Sequence, residues 1–95
     1  METWESKDPA EKFAVSFDFS SEMSAITSAT VTIETMRGTD ETPSDVLDGA
    51  PQISGTTVLQ RIKDGEHKAT YKFRCEATDG TEVWVITQAL PVVTK

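Results

Sequence analysis

The chain has 95 residues, with 9 Lys+Arg against 16 Asp+Glu, for a formal net charge of −7 with its lone histidine neutral. A domain of this size buries roughly 60 to 65% of its unfolded surface, which leaves little room for a deep, water-excluding catalytic cavity beside the core. Scattered cations argue against nucleic acid as a partner, no run nears the ~18 apolar residues of a membrane span, and a single cysteine, Cys75, excludes an internal disulfide and a multi-cysteine zinc site.

Residues 1–11 alternate charged and small polar groups around Trp4 and reach Asp8-Pro9 without an apolar period. They lack the basic start and apolar stretch of a secretory signal, so synthesis in the cytoplasm is expected. A flexible N-terminal arm is expected over 1–11, followed by one domain over 12–95. Trp4 either folds back onto that domain or anchors a partner protein.

From Lys12 the pattern changes, because Phe13, Val15, Phe17 and Phe19 recur at the two-residue period that lines one face of a strand. Ala29, Val31, Ile33 and Thr35 repeat that period in a stretch rich in β-branched residues. Residues 36–50 read as a long connection. Within it, Thr42-Pro43-Ser44-Asp45 has the form of an N-cap followed by proline in the first turn, which predicts one helical turn presenting Val46 and Leu47 to the core. Asp40, Glu41, Asp45 and Asp48 lack the alternating spacing and closing glutamate of a calcium loop, so no metal site is expected.

A strand over residues 56–62 follows and closes at Asp64-Gly65, a turn signal because both residue types tolerate positive φ. Ala69, Tyr71, Phe73, Cys75 and Ala77 then alternate with polar residues along a two-faced strand. A second aspartate-glycine pair, Asp79-Gly80, joins it to residues 81–90. A two-residue loop there sets Thr78 opposite Thr81, Cys75 opposite Trp84 and Phe73 opposite Ile86 on the inner face, with Glu76 opposite Val83 and Arg74 opposite Val85 outside. Val83 and Val85 are then surplus apolar residues on the outer face, either by chance or as a surface that another protein covers.

Five or six alternating strands joined by polar turns predict an all-β, antiparallel β-sandwich of immunoglobulin or fibronectin type III kind. Tyr71 near the start of the penultimate strand is expected either to cap a corner by bonding to upstream backbone or to serve as a large core aromatic. Catalysis has little to stand on. His67 lies between Glu66 and Lys68 at a strand start, no serine sits in a glycine-framed elbow, and Cys75 faces inward as an inert thiol. No enzyme activity and no cofactor are expected.

Taken in order, these pieces resemble the small immunoglobulin-like phage and prophage virion proteins of the fibre-tail adaptor type. Lys7-Asp8-Pro9 with Glu11 is similar to that family's opening, and Phe17-Asp18-Phe19-Ser20 to its aspartate-centred first strand, where members commonly carry tryptophan at the Phe19 position. Ile26 with Ser28, Thr56-Thr57-Val58, Tyr71, Thr78-Asp79-Gly80-Thr81 and Leu90-Pro91-Val92 are similar to its later elements. Lys63-Asp64-Gly65-Glu66 stands where members carry a double glycine.

The resemblance implies a non-enzymatic structural or adaptor protein, made in the host cytoplasm and carried in the virion. Its partners would be tail, connector or fibre proteins, with neither nucleic acid nor membrane, and a homo-oligomer in the particle is compatible with that role. The expected partner contacts are Trp4, Lys7, Asp8 and Pro9 of the arm together with Val83 and Val85, acting by strand addition at an exposed edge or by aromatic anchoring. The alternative is a free-standing immunoglobulin-like recognition module for a carbohydrate or cell-surface protein. Carbohydrate sites want exposed aromatics, and the predicted register turns Trp84 inward, leaving only Trp4.

Overall fold

The alternating stretches form strands in the order their periods predict. A computed structural model describing residues 1–95 contains β1 (Glu2–Thr3), β2 (Phe13–Asp18), β3 (Ser28–Arg37), β4 (Gln52–Ser54), β5 (Thr57–Ile62), β6 (Thr70–Thr78) and β7 (Val83–Pro91). They build two sheets, of order β1-β7-β6-β3 and β2-β5-β4. Every pairing is antiparallel except that of β1, which runs parallel to β7. The chain is thus an all-β, two-layer sandwich.

The core lies between the layers. Val15, Phe17, Val58 and Ile62 come from one sheet, and Val31, Tyr71, Phe73, Cys75, Ala77 and Leu90 from the other, with Phe19 and Val46 added from the connections. Each large side chain buried there contributes about 1.5 to 3 kcal/mol relative to exposure. Phe13, outermost of the alternating phenylalanines, stays partly exposed at the open end of β2.

Residues Pro43–Val46 form a single 3-10 turn that buries Val46 and half-buries Leu47, as the sequence predicts. The cap differs. Thr42 makes no side-chain capping bond, and Asp40 Oδ1 instead accepts the Thr42 N–H at 2.9 Å. Strand β4, too short to show a period, pairs with β5 through a turn at Gly55.

The β6–β7 hairpin also departs from expectation. Thr78 faces Val83, Ala77 faces Trp84 and Cys75 faces Ile86, so the loop has four residues and the register is displaced by two. Asp79 explains it: Oδ1 accepts the N–H groups of Thr81 and Glu82 at 2.8 and 2.7 Å, holding a wider turn than the two-residue loop would give. A shift of two preserves which face each side chain occupies. It sets Trp84 opposite Ala77 in place of Cys75, nearer the turn, and this residue is 40% exposed.

The largest correction concerns residues 1–11, which are not a loose arm. Glu2 and Thr3 align with Gln88 and Ala89, the Trp4 N–H donates to the Ala89 carbonyl at 2.8 Å, and the Lys7 N–H donates to the Pro91 carbonyl at 3.0 Å. The Trp4 ring enters the gap between the sheets, edge-on to Phe17 and Phe73 at centroid distances of 5.4 and 5.3 Å. The physical cause is apolar burial together with satisfaction of a strand edge. An isolated tryptophan in a polar segment has no period to announce either.

Candidate functional site

Lys7, Asp8 and Pro9, expected as partner contacts, instead close one end of the sandwich. Lys7 is 0% exposed, and its ammonium donates to the backbone carbonyls of Asp64 and Asp8 at 2.6 and 2.9 Å. The Asp64-Gly65 turn supplies the first of these because both residues take positive φ, +52° and +101°. A Cβ at Gly65 would also stand 3.0 Å from Val92 Cγ2, so the buried valine would have to give way. Burial lowers the Lys7 pKa, and the charges of Asp64, Glu11 and Asp8 oppose that shift.

Asp8 ties the two termini together. Its carboxylate accepts the N–H of Ala10 at 2.8 Å and of Lys95 at 2.7 Å, while its own N–H donates to Glu11 Oε1. Lys95 Nζ in turn stands 3.0 Å from the Glu11 carboxylate. The backbone bonds from Ala10 and then Lys95 hold the Asp8 carboxyl below the usual range. Pro9 is half-buried in this turn.

Tyr71 makes a corner bond, the first of the two roles its position allows, while its ring is buried in the core. Its hydroxyl accepts the Glu66 N–H at 2.8 Å and donates to Asp40 Oδ2 at 2.6 Å. Burial, then the Asp40 hydrogen bond, pushes its pKa up. Asp40, one of the acids weighed for calcium, is therefore a bonding partner of Tyr71 and Thr42. Nowhere do three or more His, Cys, Asp or Glu side chains gather in a metal-binding arrangement. Burial raises the Cys75 thiol to about 12, and His67 Nδ1 accepts the Thr94 N–H at 2.9 Å.

Val83 and Val85 lie where the sequence places them, on the outer face of the four-stranded sheet, 57% and 42% exposed. With Trp84 they form three consecutive exposed apolar residues at the start of β7. Trp84 was missed because the two-residue loop set it opposite Cys75. The signal that could have found it is the Asp79-Gly80-Thr81-Glu82 run, whose first carboxylate can cap two later amides. Alongside this stretch runs a shallow groove lined by Glu2, Trp4, Asp18, Val85, Thr87 and Gln88, among others.

The expected contacts thus separate into three places. Lys7, Asp8 and Pro9 stitch the termini, Trp4 sits half-buried between them and the groove, and Val83 with Val85 stands open to solvent. Comparison with protein-family models, with curated proteins and with solved structures finds no match to this chain.

Proposed function

We propose that the chain is an immunoglobulin-like, non-enzymatic structural or adaptor protein of a phage or prophage particle, docking to tail, connector or fibre proteins. The strand orders β7-β6-β3 and β2-β5-β4 match the C-F-G and B-E-D sets of that sandwich type, and Tyr71 bonds back to Glu66 as its corner tyrosine does. The observation that carries the docking role is the exposed Val83-Trp84-Val85 run on a strand edge, beside a body in which Lys7, Asp40 and Tyr71 are engaged in internal hydrogen bonds. The particle assignment rests on the resemblance of Lys7-Asp8-Pro9, Tyr71 and Asp79-Gly80 to the adaptor family. Mass spectrometry of particles induced from the source genome tests it. A fixed ratio to tail or connector proteins is expected, and absence from intact particles overturns it.

The exposure of Trp84 favours a second reading, a free recognition module for carbohydrate or a cell-surface protein, since such sites use exposed aromatics. Glycan-array binding that is abolished by Trp84→Ala in a folded protein would place this reading first.

A further inference from the structure

We infer that the open edge of β7 over residues 83–86 takes up an extended, lysine- or arginine-bearing segment of a protein partner as an added strand. Along β7, the Ala89 and Pro91 carbonyls face β1 and the segment after it, accepting from Trp4 and Lys7. Val92, at the alternate position, donates instead to Ala69 on the β6 side. Backbone groups two residues apart on a strand point the same way, so Val83 and Val85 turn their N–H and C=O away from β6. No strand lies beside Val83 and Val85, because the pairing with β1 begins only at Gln88, with Met1 and Glu2 standing beside Thr87.

Edges left open in soluble proteins are ordinarily blunted by lysine, proline, a bulge or a covering loop. Val83-Trp84-Val85-Ile86-Thr87 has no such residue, and its pairing with β6 is regular throughout. An incoming strand would lay one set of side chains over Val83 and Val85 and the alternate set toward Trp84 and Ile86.

Charge selects the occupant. Residues 75–94 contain no Lys or Arg, Arg74 opposite Thr87 is paired with Glu76, Glu82 precedes the edge, and the groove beside it sets the carboxylates of Glu2 and Asp18 against one cation, the Met1 ammonium. A second copy fits poorly. Antiparallel self-pairing centred on Val85 would bring Glu82 of each copy to Gln88 of the other, where Glu2 already lies, and would join two bodies of net charge −7. A cationic segment meets none of that repulsion.

The partner's existence rests on the docking role proposed above, but the edge is tested directly. The probe is a synthetic peptide of about eight residues alternating lysine and valine, titrated into the full chain by NMR beside a twin in which glutamate replaces lysine. Saturable shifts at the amides of Val83, Val85 and Thr87 are expected, with the acidic twin at least about tenfold weaker. Val85→Pro removes an edge N–H without removing a β6 bond, and is expected to weaken binding by at least about tenfold. Should that variant fold poorly, Val85→Lys keeps the N–H and places a repelling cation on the edge, with the same expected loss.

Equal binding of both peptides, no binding, or binding indifferent to a folded variant at Val85 overturns the inference. Self-association abolished at Val85 would hand the edge to a second copy and overturn it as well. Failure here with the chain present in particles refutes the edge alone. Success with the chain absent from particles refutes the virion role alone.

Discussion

The two halves of β7 are finished in opposite ways. From Gln88 onward its edge is sealed by Glu2, Thr3 and Trp4 and then by Lys7, whose carbonyl also accepts the Val93 N–H at 2.9 Å. Over residues 83–86 the same strand has no neighbour on that side and exposes valine and tryptophan. The sealed half shows where the fold needs polar side chains for its own cohesion, and the open half shows where it does not use the apolar ones it presents. Residues of interest in the sequence therefore divide by whether their partners lie inside the chain.

Substitutions in the sealed half should be the most damaging. Lys7→Ala leaves the carbonyls of Asp8 and Asp64 without their donor in a buried setting, and is expected to cost about 2 to 4 kcal/mol in urea unfolding. A loss under about 0.5 kcal/mol, the usual range for a surface change, would erase the contrast between the halves. Trp4→Ala removes the ring from Phe17 and Phe73 and should cost about 2 kcal/mol. It should also speed hydrogen exchange at Ala89, with little change at Cys75 in the central strand.

Tyr71→Phe, which strips one donor and one acceptor from the corner, should cost about 1 to 2 kcal/mol. Alkaline pH sharpens the same point. The folded pKa of Cys75, raised to about 12, lies above the unfolded value near ~8.5. Its contribution is therefore full below the unfolded value and is lost as pH rises through that window. Tyr71 is raised and acts in the same sense, whereas Lys7 is lowered and gains as pH rises through its folded value. Denaturation between neutral and alkaline pH should show falling stability, with a shallower slope in Cys75→Ala. In the open half, Val83→Ser should change stability by no more than about 0.5 kcal/mol, and a larger loss by thermal melting would mean that the edge already serves the fold.

Strands β2, β3, β5, β6 and β7 were legible because each holds its alternation long enough to fix a face. β1 and β4 were not, since two or three residues carry no period, and their pairing comes from the partner strand. Lys7 stands out in the sequence through Lys7-Asp8-Pro9, a polar run that suggests an outward role. Its burial depends on a carbonyl at Asp64, 57 residues away, which no local pattern encodes. Val83 and Val85 were correctly placed outside because parity alone decides the face. Trp84 was misplaced because its cover depends on loop length, which the Asp79 hydrogen bonds set.

The parallel run of β1 along β7 also has a mechanical consequence. A load applied between Met1 and Lys95 draws the two strands past one another lengthwise, since they point the same way while their far ends are pulled apart. The bonds from Trp4 to Ala89, from Lys7 to Pro91 and from Val93 to Lys7 then carry the force together in shear, and do not open singly as in a hairpin peeled from its tip. The short segment at the start of the chain acts as a clasp, set so that tension along the molecule is borne there before it reaches the core.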